Sequence, residues 1–296
     1  MKTEPYKGVR DFYPEDMVVQ NYIFSVWREV AEKNGYTEYS ASILEPADLY
    51  RTKGSDEIVN EQMYVFKDKG DREVALRPEM TPTLARMVAA RRRALKFPLR
   101  WYSIPNVFRY ERPQRGRRRE HWQLNCDLMG IAGIEAEVEI IKLAYDIMKK
   151  FGAKDEDFEI RINSRKIISA ALVGKNFSED QIRDFTRKLD KGETPVDINF
   201  ELDEEVEKLL VGLKETNVSN ARFEPTLARG FDYYTGMVFE VFDTNPENKR
   251  SLFGGGRYDN LLEIFDAEPV PTVGFGMGDI TIHDFLETHN LPLKNK

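Results

Sequence analysis

The sequence predicts an α+β fold, in which an antiparallel β-sheet is flanked by helices, and three observations support this prediction. Segments with strand character occur in pairs joined by loops, as at residues 101–109 and 122–129, and such pairs favour hairpins. Amphipathic helical segments lie between the strands, most clearly at residues 135–151. A doubly wound nucleotide-binding fold is not indicated, because the sequence has neither a Walker lysine motif nor a dinucleotide glycine fingerprint.

The first quarter of the chain predicts a helix and two strands. Apolar residues at helical spacing follow Pro14, and Gly35 is expected to end that helix. Residues 36–44 are then expected to form a strand, and residues 73–76 a second, shorter one.

The next segment predicts a helix followed by a long hairpin. Thr81 is the expected N-cap, because Pro82 after it suits the first position of a helix that runs to about Arg93. An arginine-rich loop then joins the strands predicted at 101–109 and 122–129.

The second half of the chain predicts an insertion within the sheet. Charge rises between residues 164 and 222, where a capping box at Ser178 and Gln181 begins one of two expected short helices. Strand patterns return at residues 236–243 and 272–277. The expected divisions are a first part of the core (1–163), a mostly helical insertion (164–222) and a second part of the core (223–296).

Composition excludes several classes of protein and site. Hydrophobic residues make up 41% and charged residues 32% of the 296 residues, which is typical of a soluble globular protein. No apolar run approaches the ~20 residues of a spanning helix, and no secretory signal is recognisable, so we expect a cytoplasmic protein without a membrane partner. The single cysteine, Cys126, and three histidines predict no metal site built from cysteine or histidine.

Arginines are concentrated locally although the net charge is −7. One cluster lies at residues 91–96, where a solvated helix end is the favoured interpretation. A denser one contains six arginines between positions 109 and 119. An acidic chain with one concentration of arginines suits a polyanionic substrate bound at a single site.

Charged residues in predicted strands and at their ends indicate a binding site. Arg109 and Glu111 lie two residues apart and so share one face of a strand. Glu79 precedes a helix, and residues 227–236 place an arginine, an acid and two tyrosines before a strand. Such a set could hold a triphosphate with its arginines and a small polar ligand with its acids and tyrosines. A buried ion-pair network is the alternative explanation.

Several separated segments resemble signatures of one enzyme family. Residues 108–127, which begin Phe-Arg-Tyr-Glu-Arg-Pro-Gln, resemble motif 2 of class II aminoacyl-tRNA synthetases in its histidyl form. Residues 227–236 and 251–259, the latter ending Gly-Gly-Gly-Arg-Tyr-Asp, resemble the two histidine-binding signatures of histidyl-tRNA synthetases. Residues 76–81 fit the same family, and residues 45–46 fit the end of its motif 1.

The resemblance implies a class II synthetase sheet, a homodimer formed through motif 1, and the use of ATP and Mg²⁺. It implies that histidine is activated to histidyl-adenylate and transferred to tRNA(His). By position, the implied catalytic residues are Arg109 and Arg229, and the implied ATP-binding residues are Arg109, Glu111, Arg117 and Arg229. The implied histidine-binding residues are Glu79, Thr81, Arg109, Gln123, Asp127, Arg229, Tyr233 and Tyr234. The remaining loop arginines exceed what a triphosphate requires, so contacts to the tRNA acceptor end are expected from Arg115, Arg118 and Arg119.

Two features depart from the family pattern. The family adds a C-terminal anticodon-binding domain, whereas this sequence ends at Lys296. Thr281 occupies the place of a motif 3 arginine that would hold the γ-phosphate of ATP, and Arg117 and Arg257 are the candidates to replace it. A non-catalytic histidine-binding paralogue, such as the regulatory subunit of ATP phosphoribosyltransferase, is therefore the alternative. A tRNA-binding module without catalysis is a third interpretation, and the histidine signatures count against it.

Overall fold

The computed structural model describes residues 3–52, 58–190, 193, 200–228, 233–248 and 250–294. These residues contain a π-helical turn (Ile58–Gln62) and a 3₁₀-helix (Leu261–Phe265). Their α-helices are α1 (Pro14–Lys33), α2 (Asp48–Arg51), α3 (Thr81–Arg91), α4 (Glu135–Phe151), α5 (Arg165–Val173), α6 (Glu179–Asp190), α7 (Glu204–Glu215) and α8 (Asp279–Thr288).

The described strands form two sheets. They are β1 (Thr37–Glu38), β2 (Leu44–Pro46), β3 (Tyr64–Lys67), β4 (Glu73–Leu76), β5 (Leu99–Ser103), β6 (Asn106–Phe108), β7 (Glu120–Met129), β8 (Phe158–Ser164), β9 (Ala221–Phe223), β10 (Met237–Asp243), β11 (Ser251–Arg257) and β12 (Thr272–Gly278). The larger sheet has the order β1-β5-β7-β12-β11-β10-β8-β9, with β6 also paired to β7, and the smaller sheet has the order β2-β4-β3.

The prediction of an α+β fold is confirmed. The central strands of the larger sheet pair in antiparallel fashion, from β5 through to β8. The outermost pairs, β1 with β5 and β8 with β9, are parallel, which the sequence analysis did not anticipate. Strand β9 comes from the end of the predicted insertion, so this segment also extends the sheet.

Some predicted elements differ in detail. The strand expected at 36–44 is divided, since β1 joins the larger sheet and β2 the smaller one. Thr81 is the first residue of α3, and Met80 occupies the N-cap without a side-chain hydrogen bond. The described residues of the segment 164–222 contain three helices, where two were expected. The expected capping box is present, because Ser178 N donates to Gln181 Oε1 at 2.8 Å.

The main hydrophobic core covers one face of the larger sheet. Helices α1, α4 and α8 pack there, and α4 ends as predicted at Gly152, whose φ is 99°. Successive side chains of a strand point to opposite faces of its sheet. In β7 the residues that enter this core are Leu124, Cys126 and Leu128. The residues that alternate with them therefore lie on the other face, and they are Gln123, Asn125 and Asp127.

Candidate functional site

The face of the larger sheet opposite the main core forms the floor of the candidate site. Glycines of β12 leave room there for polar side chains of the neighbouring β7. A Cβ atom on Gly274 would lie 2.4 Å from Asp127 Oδ1, and one on Gly276 would lie 2.0 Å from Gln123 Nε2. A larger residue at either glycine would displace the carboxyl or amide group, so these two glycines define the depth of the floor.

A cleft of ≈ 1170 Å³ lies over one end of this floor. Its walls are the loop at residues 109–119, here called the arginine loop, together with the start of β11 and the first turn of α8. Guanidinium groups recognise phosphate oxygens through paired hydrogen bonds, so the arginines in these walls suit a polyanion. The arginines that line the cleft are Arg109, Arg115, Arg117, Arg118, Arg161 and Arg250.

Arg109 lines the cleft and also lies beside a buried cluster of acids and tyrosines. Its Nε donates to the carbonyl oxygen of Pro78 at 2.9 Å, which holds the guanidinium near Glu79. The positive charge of Arg109 acts to lower the pKa of Glu79. The structure therefore brings together two predicted site residues that come from different elements.

Glu111 and Arg117 face each other within the arginine loop, and their assignment to an ATP site stays a prediction. Arg117 Nη1 lies 3.4 Å from Glu111 Oε2. The Oε2 atom is buried and accepts no hydrogen bond among the described residues, so this is an ion pair without an aligned hydrogen bond. Both side chains line the cleft.

Glu79 is the first acid of this buried cluster and is 3% exposed. Tyr233 Oη donates to Glu79 Oε2 at 3.3 Å, whereas Oε1 has no hydrogen-bond partner among the residues that the structure describes. Burial raises the pKa of Glu79 to about 7, and the charge of Arg109 and the Tyr233 hydroxyl oppose this rise. A buried acceptor without a donor is costly, so Oε1 is the atom that a cationic or hydrogen-donating ligand would satisfy.

Asp127 is the second acid of the buried cluster. Tyr258 Oη donates a hydrogen bond to Asp127 Oδ1. Burial raises the pKa of Asp127 to about 7, and the hydrogen bond from Tyr258 opposes the rise. The cluster therefore contains two carboxyl groups that change protonation near neutral pH.

Three tyrosine rings join the two acids. The ring centroids of Tyr233 and Tyr258 lie 5.6 Å apart, and that of Tyr234 lies 5.0 Å from Tyr233 and 6.3 Å from Tyr258. We call these three tyrosines with Glu79 and Asp127 the acid–tyrosine pocket, because we propose below that they bind a ligand. Such a pocket combines aromatic contact with several hydrogen-bonding groups, which suits a small polar ring.

The other residues predicted to bind histidine are placed as follows. Gln123 lines the cleft, on the same face of β7 as Asp127. Thr81 is half-buried in the first turn of α3, two positions after Glu79. Arg229, which the sequence analysis assigned to catalysis, lies outside the described residues.

The structure does not support the interpretation of Arg119 as a tRNA contact. This side chain is 7% exposed and is held inside the protein. Its Nε donates to the carbonyl oxygen of Glu111 at 3.2 Å, its Nη1 donates to Tyr6 Oη at 3.1 Å, and its guanidinium lies 3.8 Å from the ring centroid of Tyr110. Arg119 thus anchors the arginine loop to the N-terminal segment, whereas Arg115 and Arg118 remain accessible in the cleft.

The interpretation of Arg257 as a replacement for the motif 3 arginine is wrong. Arg257 lies in β11 but points to the face that α4 covers, where it forms a buried ion pair with Glu137. It does not line the cleft. The motif that contains Arg257 therefore contributes its tyrosine, and not its arginine, to the site.

Two residues of the site were missed by sequence analysis. Tyr258 belongs to a recognised signature, but only the fold shows that it reaches Asp127. His121 lines the cleft, and burial together with the charges of Arg109 and Arg10 lowers its pKa to about 3. Its imidazole is therefore neutral, with one donor and one acceptor nitrogen. The available signal was the period of the strand, which places His121 on the same face as Gln123.

Two further expectations concern metals and membranes. His283, Asp284 and Glu287 of α8 have potential ligand atoms within 4.8 Å of one another, so the expected absence of a histidine-containing metal site stays a prediction. Among the residues described, no helix combines the length and the apolar character that crossing a membrane requires.

The chain is similar to known proteins along most of its length. The family model described as Histidyl-tRNA synthetase matches residues 8–197 and 193–279. The histidine–tRNA ligase of Leptospira biflexa is 46% identical, over 98% of this chain and 76% of that protein. The histidine–tRNA ligase of Opitutus terrae is 38% identical, over 96% of this chain and 75% of that protein.

Solved structures agree with the sequence relatives. A Bacillus halodurans protein described as an ATP phosphoribosyltransferase regulatory subunit/histidyl-tRNA synthetase superposes with a TM-score of 0.82 at 25% identity, covering 100% of this chain and 84% of that one. The apo histidyl-tRNA synthetase of S. aureus has a TM-score of 0.75 at 26% identity, covering 99% of this chain and 72% of that one. Because the family model matches most of the sequence and a relative is 46% identical along it, this chain belongs to the histidyl-tRNA synthetase family of tRNA ligases.

Proposed function

We propose that this protein activates histidine with ATP and transfers the histidyl group to tRNA(His). The observation that carries the proposal is the position of Arg109, which lines the arginine-rich cleft and lies beside Glu79 of the acid–tyrosine pocket. A nucleotide triphosphate in the cleft and an amino acid in the pocket would meet at this guanidinium. Holding two reactants in contact is a large part of catalysis of a two-substrate reaction.

In the first reaction, a carboxylate oxygen of histidine attacks the α-phosphorus of ATP. The bond from the α-phosphorus to the bridging oxygen of the β-phosphate breaks, and pyrophosphate leaves with that oxygen. Negative charge increases on the α-phosphate oxygens as the new bond forms, so a fixed guanidinium at Arg109 stabilises the transition state. The resemblance to the synthetase family implies that Arg229 acts on the same phosphate. The substrate carboxylate is the nucleophile, so the protein needs to supply none.

The acid–tyrosine pocket would select histidine through its polar groups. The ammonium group suits Glu79, whose Oε1 lacks a hydrogen-bond donor among the described residues. A neutral imidazole offers one N–H and one acceptor nitrogen, which suit a carboxylate such as Asp127 and a tyrosine hydroxyl. A site built to satisfy such groups rejects apolar side chains, because its own buried polar atoms would remain unpaired.

Mg²⁺ is expected to accompany ATP, and the cleft offers donors that fit it. Glu111 and Glu240 line the cleft and carry carboxylate oxygens, the atoms that Mg²⁺ prefers when one or two protein ligands join substrate phosphates. The bound ion would neutralise part of the phosphate charge.

The second reaction requires the end of tRNA to reach the adenylate. A hydroxyl of the terminal ribose attacks the histidyl carbonyl carbon, and AMP leaves. Arg115 and Arg118 line the cleft and remain accessible, so we assign the acceptor end to these two residues and not to Arg119. Contacts of arginine to phosphate supply affinity that depends on salt.

A histidine sensor without catalysis is the second candidate. It is favoured by Thr281 at the place of the motif 3 arginine, and the description of the Bacillus halodurans protein includes a regulatory subunit. The arginine loop opposes it, because a sensor of histidine requires neither a phosphate-binding cleft nor Arg109 at the junction.

The smaller sheet supports a homodimer. Leu44 is 48% exposed and Phe66 is 46% exposed, and the register of the sheet places them on the same face. Apolar side chains of this size on a sheet face are usually covered by a partner. The segment that contains Leu44 is also the end of motif 1, so we propose that a second copy covers it.

Formation and transfer of the adenylate test the proposal together. Purified protein is incubated with α-phosphate-labelled ATP, Mg²⁺ and histidine, and then with a minihelix that carries only the acceptor stem of tRNA(His). We expect labelled histidyl-adenylate first and labelled AMP after the minihelix is added. Protein that binds histidine and ATP but forms neither product would refute the proposal.

A further inference from the structure

Thr281 cannot donate to a phosphate in this structure, although it lies where the family carries a phosphate-binding arginine. Its hydroxyl donates to the carbonyl oxygen of Leu252 at 2.6 Å. A hydroxyl has one proton, so this hydrogen bond leaves Thr281 only lone pairs to present to the cleft. Phosphate oxygens need donors, and the outer end of a triphosphate therefore needs a cation from elsewhere.

Most cations of the cleft already have partners. Arg109 donates to Pro78, and Arg117 faces Glu111. Arg161 is paired with Glu159 and lies 4.0 Å from the ring centroid of Phe242. These groups would lose existing contacts if they moved to the outer end of a triphosphate.

The two loop arginines assigned to tRNA are directed towards α8. Arg115 Nη2 lies 3.4 Å from Thr288 Oγ1, in the last turn of that helix. Burial raises the pKa of Asp284, and the charges of Arg115 and Arg118 oppose this rise. Arg115 and Arg118 therefore lie beside an acid of α8. They do not replace the arginine that the family carries at the position of Thr281.

Arg250 differs from the other arginines of the cleft. Its side chain is exposed, and within the described part of the chain no carboxylate lies within the 4.0 Å of an ion pair. The contact that the structure gives it is a long one, from Nη2 to Gln114 Oε1 at 3.5 Å. Its guanidinium is thus available to a ligand at low cost in existing interactions.

Three elements meet around Thr281, and Arg250 lies beside them. Arg250 immediately precedes β11, and the Leu252 carbonyl that accepts from Thr281 is two residues further along. Gln114, which Arg250 contacts, and Gly116 belong to the arginine loop, and a Cβ atom on Gly116 would lie 3.7 Å from Thr281 Cγ2. The start of β11 can therefore deliver a cation to the region that the first turn of α8 leaves without one.

We propose that Arg250 binds the terminal phosphate of ATP in the place of the missing motif 3 arginine. The inference rests on the proposed function, since it assigns one residue to the nucleotide of that reaction. A guanidinium is suited to this role because it presents two parallel donors to a phosphate and stays charged at every relevant pH. The cation that binds the terminal phosphate then comes from the residue before β11 and not from the first turn of α8, and it lines the same cleft.

The first test measures histidine-dependent exchange of pyrophosphate into ATP in Arg250→Ala, Arg250→Lys and wild type. We expect Arg250→Ala to raise the KM for ATP by about 10-fold or more, because a hydrogen bond to a charged group is lost. The KM for histidine should change less than twofold, and Arg250→Lys should recover part of the loss. Arg93→Ala is the matched control, since Arg93 is an exposed arginine that does not line the cleft.

The second test returns the charge to α8. When Thr281→Arg is combined with Arg250→Ala, the KM for ATP should fall most of the way back to the wild-type value. A merely structural role of Arg250 would not allow this rescue. Calorimetry with the α,β-methylene analogues of ATP and ADP supplies a measure independent of turnover. Arg250→Ala should reduce the preference for the triphosphate over the diphosphate and leave binding of the diphosphate unchanged.

The outcomes separate the two proposals. Wild-type protein without exchange activity would overturn the proposed function, whatever the variants do. Active wild type with an unchanged KM for ATP in Arg250→Ala would overturn the assignment of Arg250 alone. An equal loss of affinity for triphosphate and diphosphate analogues would also overturn it, because Arg250 would then not act on the terminal phosphate.

Discussion

Two buried carboxyl groups determine how the acid–tyrosine pocket responds to pH. Burial raises the pKa of Glu79 from 4.5, and that of Asp127 from 3.8, to about 7. At pH values between the ordinary pKa of each group and its raised pKa, the folded state binds more protons than the unfolded state. These two groups therefore make the protein less stable as pH rises. At ~1.4 kcal/mol for each pKa unit, the full effect is about 3 kcal/mol for Glu79 and about 4 kcal/mol for Asp127.

We predict that Glu79→Gln removes its share of this pH dependence. The free energy of unfolding of ligand-free wild type should fall relative to that of the variant as pH rises from about 5 to about 8, because the amide does not ionise. Chemical denaturation at several pH values measures the difference. A constant difference across this range would show that Glu79 is already ionised in the free protein.

The hydrogen bond from Tyr258 to Asp127 is a second contact between single residues that can be tested. We predict that Tyr258→Phe weakens histidine binding about 10-fold or more and leaves the affinity for an ATP analogue within twofold, because a buried acid loses its donor. Calorimetric titration with each ligand measures both. Tyr145→Phe is the control, since Tyr145 donates to Asp155 next to α4 and lies outside the site. Equal losses of affinity for histidine and for the ATP analogue would contradict the assignment of Tyr258 to the histidine site.

At the scale of elements, the arginine loop combines accessible and anchored residues. Arg115 and Arg118 line the cleft, whereas Arg119 is bound to Tyr6 and to the carbonyl of Glu111. The backbone strengthens this anchor, because Arg119 N donates to the carbonyl oxygen of Gly8 at 2.7 Å. The N-terminal segment therefore fixes one end of the loop, and the tip is left to contact ligands.

We predict that the two kinds of arginine give different phenotypes. Arg115→Ala with Arg118→Ala should lower the charging of tRNA and make it less dependent on salt, while pyrophosphate exchange stays within about twofold of wild type. Arg119→Ala should reduce both activities, because the whole loop loses its anchor. Both activities are measured on the same preparations. Equal losses of both activities in the double variant would mean that Arg115 and Arg118 serve ATP.

At the scale of the whole molecule, the smaller sheet presents apolar side chains to solvent. We predict that Leu44→Asp with Phe66→Asp converts a dimer into a monomer, because two charges would be buried at the interface without partners. Light scattering coupled to size-exclusion chromatography measures the mass. Val173, which is 60% exposed on α5, supplies the control substitution Val173→Asp. A wild type that is already a monomer at micromolar concentration would contradict the assignment of this surface.

Local signals in the sequence predicted individual helices and strands well. They did not predict which strands, distant in the sequence, pair with each other. Helix α4 has the predicted bounds, because an amphipathic pattern and a terminal glycine are encoded within the segment. The parallel pairing of Thr37 with Trp101 joins distant parts of the chain, and no local pattern encodes it. The same limit applies to Arg257, whose motif marked it as a site residue although the strand directs it to Glu137. Arg250 had no motif, and only the fold brings it to the cleft.

The central claim is that the cleft and the pocket hold ATP and histidine for one reaction, and pyrophosphate exchange tests it most directly. Purified protein with saturating ATP and Mg²⁺ should exchange labelled pyrophosphate into ATP only when histidine is added. Arg109→Ala should reduce this exchange by about 10²–10³-fold, since one donor to the transition state is lost. Protein that binds histidine in calorimetry but shows no exchange with all three ligands present would contradict the account and favour a histidine sensor.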